Sequence, residues 1–409
     1  MIDRVHFKLF KSIENIEFEP GRVNVLIGAN GSGKSNLLEA LGVLSAAVSG
    51  RVDDEALLRR GVRHGVPALY KCAFPNLKSL HINFGASSGS VSVEVTLFNP
   101  IEDPLPAWRY HTEALEKDGR RLIGRSNRDK RKFNPEAGLI AAKMVEMDDL
   151  EVLQLLNGLR EFAIYTPNTH TLRGIAPDTQ PRQPIGLSGG QLAHAVADIQ
   201  RLRSSLRPMH EPPYELQAFV SIEAFCSLVH LDVLYLIDWA KSYGTAPASA
   251  MPLSSSVGAT ERVIRFTDRF MKSERDKLSG YDASEGALYV LFHAVLAAHP
   301  KSPRICAVDN ADHGLNPRLC RALFSKICDW YLNSPYERQI FLTTQNPLTL
   351  DGLPLQEDQV RLFAVSRTEK GRTVVNRIVL DDKLKKMAED GWSLSRLWVM
   401  GHLGGVANV

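Results

Sequence analysis

Val23-Asn24-Val25-Leu26-Ile27-Gly28-Ala29-Asn30-Gly31-Ser32-Gly33-Lys34-Ser35 is the stretch that decides the fold class. Its first five residues form a short apolar run that predicts a buried strand, and Leu37, Leu38, Leu41 and Leu44 recur at helical spacing after the glycines. Gly28 to Ser35 fits G-x-x-x-x-G-K-[ST] without a mismatch. With average residue usage a chain of this length would show that pattern by chance roughly once in a hundred sequences. An ordinary glycine turn is the bland alternative, and the order strand, glycine loop, helix weighs against it. Glycines let backbone N–H groups close around phosphate oxygens, and the helix start adds its positive dipole end. The spacing predicts a nucleotide cradle from Asn30, Gly31, Ser32, Gly33, Lys34, Ser35 and Asn36, with Lys34 on the β and γ phosphates and Ser35 on Mg²⁺.

Around this loop the composition is that of a folded globular protein: 409 residues, 44% hydrophobic, 23% charged. A net charge of +3 is too balanced for the whole surface to bind a polyanion, so any nucleic-acid contact must be local. The five cysteines, at 72, 226, 306, 320 and 328, form no CxxC pair, so the expectation is a reducing cytoplasm without disulfides or zinc. The N-terminus lacks a signal peptide's apolar core. No stretch approaches the roughly 18 uninterrupted apolar residues of a membrane span, so a soluble chain is expected.

Further segments resemble the ABC-type ATPase heads, in the branch of chromosome-maintenance, recombination-mediator and overcoming-lysogenisation-defect proteins. Phe7 to Ile13 with Ile16-Glu17-Phe18 looks like the first strand pair of those heads, and Gly28 to Asn36 looks like their phosphate loop. Ile305-Cys306-Ala307-Val308-Asp309 is an apolar run ending in a carboxylate, the form of a Walker B strand that delivers an Asp to Mg²⁺. Gly314-Leu315-Asn316-Pro317 resembles the loop that crosses the dimer interface, and Ile340 to Pro347 the switch strand. The resemblance covers residues 1–60 and 260–350 well and the middle poorly. It implies an α/β P-loop NTPase of ABC-ATPase type, with an antiparallel β lobe and a helical insertion. The head is expected at 1–185 and 256–409, with the insertion at 186–255.

Such heads close ATP between one protomer's phosphate loop and the other's signature helix, and two segments compete for that role. Leu187-Ser188-Gly189-Gly190-Gln191 matches the family pentapeptide letter for letter, whereas Ala283-Ser284-Glu285-Gly286-Ala287 only approximates it. Spacing favours the second. Gly286 lies 23 residues before Asp309, room for one helix, a Pro-containing turn and the strand, while Gln191 lies 118 residues away. A signature serine works at the exposed N–H groups of that helix's start. Ser284, Glu285 and Gly286 are therefore the expected signature, and Ser188 reads as an N-cap and turn before a helix over 192–206.

Two residues depart from the family pattern. Hydrolytic members follow the Walker B Asp with a Glu and use a His in the switch, where this chain has Asn310 and Gln345. An amide cannot take water's proton, and general-base catalysis is typically worth about 10²–10⁴-fold, so slow or absent hydrolysis is expected even with binding intact. Gln345 can still donate to the γ-phosphate. Asp312 is the nearest spare carboxylate; it is expected to be either a solvated loop carboxylate or a substitute base. Lys34, Asp309, Asn310 and Gln345 are the expected catalytic set, and Ser35 with Asp309 the expected metal ligands.

Residues 78–98 and 107–124 alternate apolar and polar residues, with Lys117-Asp118-Gly119 as a hairpin turn. Arg120 to Lys132 carries seven basic residues against one acid, so it is either a solvated loop or a phosphate-backbone contact. Leu192–Leu206 and Tyr214–Ser242 predict long helices, and 244–258 a linker. Val360–Ala364 with Thr373–Leu380 predict a closing hairpin. The lysogenisation-defect proteins continue into a nuclease domain where this chain ends, so effector chemistry is expected on a separate protein such as a nuclease. The resemblance implies a cytoplasmic ATP-binding switch that dimerises, or assembles further, around Mg-ATP and controls that effector, in the setting of phage defence. The rival expectations are a DNA-stimulated ATPase of repair or recombination and a scaffold with permanent ATP.

Overall fold

The computed structural model describes the chain apart from residues 64, 66, 76, 78–80, 101–104, 127–132, 205–213, 252, 254–260 and 405–409. The chain opens with β1 (Arg4–Phe10), β2 (Ile13–Phe18) and the wholly buried β3 (Val23–Ile27), which feeds α1 (Lys34–Val48). Short helices α2 (Asp54–Leu58) and α3 (Pro67–Tyr70) precede β4 (Ile82–Ser88), β5 (Val91–Phe98), β6 (Arg109–Lys117) and β7 (Arg120–Arg125). In β5, Val91, Val93, Val95 and Leu97 are buried while Glu94 is exposed, the period of two that marks a sheet with one wet face. With β1 and β2 these strands make the antiparallel sheet β2-β1-β4-β5-β6-β7, the lobe the alternation predicts. Asp118 (φ 52°) and Gly119 (φ 72°) both take left-handed conformations at the expected hairpin turn.

Next come α4 (Leu139–Lys143), α5 (Leu150–Glu161), β8 (Ala163–Tyr165), α6 (Thr169–Leu172), α7 (Leu192–Ser204) and α8 (Tyr214–Leu236). Strands β9 (Ala240–Pro247), β10 (Arg262–Asp268) and β11 (Lys277–Ser279) form a small antiparallel sheet before α9 (Glu285–Ala298). The remainder is β12 (Ile305–Val308), α10 (Pro317–Leu332), β13 (Gln339–Thr344), β14 (Val360–Arg367), β15 (Thr373–Ile378), α11 (Asp382–Glu389) and α12 (Leu394–Val399). The last strand pair is the predicted hairpin.

A second six-stranded sheet, β15-β14-β3-β13-β12-β8, is parallel except for β15, and β3, β8, β12 and β13 are buried along their whole length because both faces are covered. Val23, Val25, Cys306, Val308, Ile340 and Leu342 join the core shared with α7, α8, α9 and α10. Leu26, Ile305, Ala307, Phe341 and Phe363 point the other way, into the core built by α1, α5 and the antiparallel sheet. Helix α1 therefore lies between two sheets, which explains why 13 of its 15 residues are buried.

The middle of the chain corrects the sequence expectation in two places. The predicted helix over Tyr214–Ser242 stops at Leu236, and the predicted linker begins inside β9, where Ala246 pairs with Val263 and Tyr243 with Phe266. Gly244 suits that strand because a Cβ there would sit 2.7 Å from Gln200 Nε2 on α7. Of the basic stretch, Arg120, Arg121 and Arg125 fall on β7, while Arg128, Lys130, Arg131 and Lys132 lie outside the described residues. Arg125 is no phosphate contact: it is buried in an ion pair with Glu113 at 3.1 Å. No helix among the described residues is long and apolar enough to cross a membrane.

Candidate functional site: a phosphate loop beside a buried carboxylate

The loop after β3 needs its glycines for different reasons. Gly31 (φ 74°) and Gly33 (φ 111°) sit in the left-handed region, and a Cβ on Gly28 would lie 2.1 Å from the carbonyl oxygen of Val365. At Gly33 a Cβ would also fall 2.3 Å from Thr373 Oγ1. The N-terminus of α1 has no side-chain cap, so its first N–H groups remain for a ligand, and the buried Ser32 Oγ has no hydrogen-bond partner. A loop that excludes side chains, an uncapped 15-residue helix and an orphaned hydroxyl together fit a bound phosphate chain.

Lys34 is buried and donates to the carbonyls of Gly28 (2.6 Å) and Ala29 (3.0 Å). Burial pushes its ammonium below the ordinary lysine value, and Asp309 and Asp312 oppose that shift, so both carboxylates face the loop electrostatically. At the end of β12, Asp309 accepts from Ser35 Oγ at 2.9 Å and from Thr343 Oγ1 at 2.5 Å. The two expected metal ligands thus meet. A hydroxyl and one carboxylate suit Mg²⁺, which takes few protein ligands and completes its shell with phosphate and water. Asn36 donates to Ser12 Oγ at 2.8 Å, and Ser12 Oγ lies 2.7 Å from Thr373 Oγ1, which donates to the carbonyl of Ser32 at 3.1 Å.

Asn310 is exposed and left-handed (φ 54°), a conformation asparagine tolerates better than most residues; its N–H donates to Thr343 Oγ1 at 2.8 Å. Gln345 Nε2 approaches Asn310 Oδ1 at 3.5 Å, so the two departures from the family pattern stand side by side. Asp312 is not a solvated loop carboxylate: it is half-buried and its Oδ2 accepts from the N–H of Asn346 (3.1 Å) and of Gln345 (3.4 Å). Sequence reading missed Thr343, whose β-branched side chain looks like any strand former, and Arg63. Arg63 reaches the buried Glu39, which also pairs with Lys11, and feels the charge of Asp309.

The expected signature lies elsewhere in the same chain. Ser284 is exposed at the N-cap of α9 and its hydroxyl makes no capping bond. Glu285 accepts from Thr169 Oγ1, and a Cβ on Gly286 would lie 2.9 Å from Leu319. Among the described residues no hydrogen bond joins 284–286 to 28–36; Ser284 borders a cleft with Trp239, Asn316 and Arg318. The Ser188 segment differs from its predicted N-cap role, since α7 starts four residues later, at Leu192. Its turn is held instead by Asp178, whose Oδ2 accepts from the N–H groups of Ser188 and Gly190, both at 3.1 Å. Replacing Ser284 with a bulky residue is expected to block ATP-dependent dimerisation in sedimentation while nucleotide binding by the monomer persists. Ser188→Ala removes no side-chain bond and should leave both within about 0.5 kcal/mol of the parent; the reverse pattern would move the signature to 187–191.

His293 is buried within α9, neither of its ring nitrogens has a hydrogen-bond partner among the described residues, and burial lowers it to about 4. Its folded value lies below the unfolded 6.5, so the unfolded chain binds the proton first. The stability it holds above about pH 6.5 should fall by about 3 kcal/mol between pH 6.5 and 4. Denaturant titrations across that range should show a shallower pH slope for His293→Gln, and an identical slope would remove this residue from the account.

Fold and site together have the form of a P-loop nucleotide-binding protein, with Asp309 at the end of the next-but-one parallel strand bonded to Ser35 of the loop. A family profile described as "AAA domain, putative AbiEii toxin, Type IV TA system" matches residues 23–143. An Smc head solved bound to the C-winged helix domain of ScpA superposes over 94% of this chain and 99% of its own, with TM-score 0.53 and 14% identity. Uncharacterized protein MJECL10 of Methanocaldococcus jannaschii is 33% identical over 89 residues, 20% of this chain and 40% of that protein. The DNA replication and repair protein RecF of Halothermothrix orenii is 39% identical over 71 residues, 17% of this chain and 19% of RecF. The matched region therefore spans less than half the length of these curated relatives. The chain shares the fold of that Smc head.

Proposed function

We propose that the chain is an ATP-binding switch: two copies close around two Mg-ATP molecules, and the closed state controls a separate effector while hydrolysis is slow or absent. The phosphate loop of one copy would face Ser284, Glu285 and Gly286 of the other, which accounts for their separation within one chain. Lys34 and the loop N–H groups would hold the phosphates, and Ser35 and Asp309 would hold Mg²⁺, which supplies charge neutralisation between the β and γ phosphates. In this reading 1–185 and 256–409 form the head, and the insertion at 186–255 contributes α7 and α8, which cover α9. A cytoplasmic setting in phage defence, with an effector such as a nuclease, belongs to the same proposal.

One observation carries the slow hydrolysis. The position after Asp309 holds the amide of Asn310 against Gln345, and Asp312 spends one oxygen on the switch backbone. The other oxygen of Asp312 favours a second reading, an ATPase of DNA repair or recombination in which Asp312 is the base. ATP turnover measured with and without DNA, alongside the assembly mass in each nucleotide state, tests the choice. Negligible turnover with an ATP-dependent doubling of mass is expected; brisk DNA-stimulated turnover favours the second reading.

A further inference from the structure

The parallel strands β12 and β13 carry Asp309 and Gln345 at one end. At their other end lies a cavity of about 670 Å³, lined by Arg182, Lys301, Ser302, Arg304, Tyr336 and Arg338. Arg304 and Arg338 immediately precede the two strands. Arg338 is buried, 2% exposed, and spends three hydrogen bonds on the carbonyls of Ala297, His299 and Pro300. Arg182 spends three on those of Arg59, Phe162 and Glu161. A guanidinium carries five N–H donors, so each has two not spent on these carbonyls. Among the described residues neither guanidinium forms an ion pair with a carboxylate. Arg338 also lies over the Tyr336 ring, 4.0 Å from its centroid, and the half-buried Arg182 feels the charge of Glu161, so each cation is compensated in part and an anionic occupant would complete it.

The rest of the lining agrees. Ser302, 6% exposed, and Tyr336 each have an enclosed hydroxyl without a hydrogen-bond partner. Lys301 and Arg304 are exposed at the rim. The four cationic side chains outnumber the lining carboxylates, Glu161 and Glu337, by two. Glu161 accepts the backbone N–H of Arg304, and Glu337 acts on Arg22 outside the lining set. The volume is that of a small-molecule site, and paired guanidinium forks favour phosphate oxygens.

We propose that this cavity is a second anion site, taking a small molecule that bears phosphate groups, held by Arg182 and Arg338 inside and by Lys301 and Arg304 at the rim. It goes beyond the nucleotide reading and does not depend on it. Inorganic pyrophosphate is the probe, titrated calorimetrically into the full chain. The expected result is two sites, one lost in Lys34→Ala and the other weakened at least about tenfold in Lys301→Ala/Arg304→Ala, an exposed pair whose removal leaves the melting curve unchanged. A single site lost in the rim variant and kept in Lys34→Ala would uphold this cavity and overturn the phosphate-loop reading. No binding, or a stoichiometry indifferent to the rim variant, overturns the proposal. So does a rim variant that loses binding of a 20-base-pair duplex but keeps pyrophosphate, since the site would then serve a nucleic-acid backbone.

Discussion

Lys34→Ala is expected to lower ATP affinity by about a hundredfold or more while the chain stays folded. Roughly 3 kcal/mol separates the two affinities, the scale of one or two charge-assisted hydrogen bonds to phosphate. Among the described residues the ammonium bonds to the Gly28 and Ala29 carbonyls, and its burial already works against its charge. Truncation removes a buried cation together with its two acceptors' donor, so the effects on stability oppose each other and the melting temperature should move little. Fluorescent-nucleotide titration read beside circular dichroism melting checks both halves. Unchanged affinity would sink the phosphate-loop assignment.

The second large effect concerns turnover. Asn310→Glu puts a proton acceptor beside the expected γ-phosphate position and should raise ATP turnover by one or more orders of magnitude. Its left-handed backbone suits asparagine better than glutamate, so a loss of about 1 kcal/mol in stability should accompany the gain. Under the proposed switch, faster hydrolysis would shorten the life of a closed dimer, so turnover and effector control would move in opposite directions. Natural turnover that is brisk, lost on Asp312→Ala and indifferent to Asn310→Glu would make Asp312 the base. That result is harder to reach than the sequence suggests, because Asp312 already ties the switch loop through Asn346 and its loss would free that loop.

Local grammar explains what was legible. Gly28 to Ser35 declares itself because backbone closure around phosphate tolerates few alternatives, and Ile305 to Asp309 because a strand buried on both faces must be continuously apolar. The start of α9 could be located by spacing alone, and Ser284 does stand at its N-cap. What stayed hidden depends on contacts distant in sequence. β9 resembles a linker until β10 is there to pair with Gly244, and Asp178 has no visible task until the Ser188 turn folds onto it. Thr343 and Arg63 carry no motif, and only proximity to Asp309 gives them meaning.

β3 lies between β13 and β14, with Val23 opposite both Ile340 and Val360. The hydroxyl of Thr373 completes the loop by bonding Ser12 and Ser32. A ribosome therefore releases the glycine loop more than three hundred residues before the strands that flank it. During synthesis the nascent N-terminal third has an apolar strand with both edges open, the kind of segment that invites wrong pairing and chaperone capture. The glycine loop can take its shape only once β13, β14 and Thr373 have arrived to hold it.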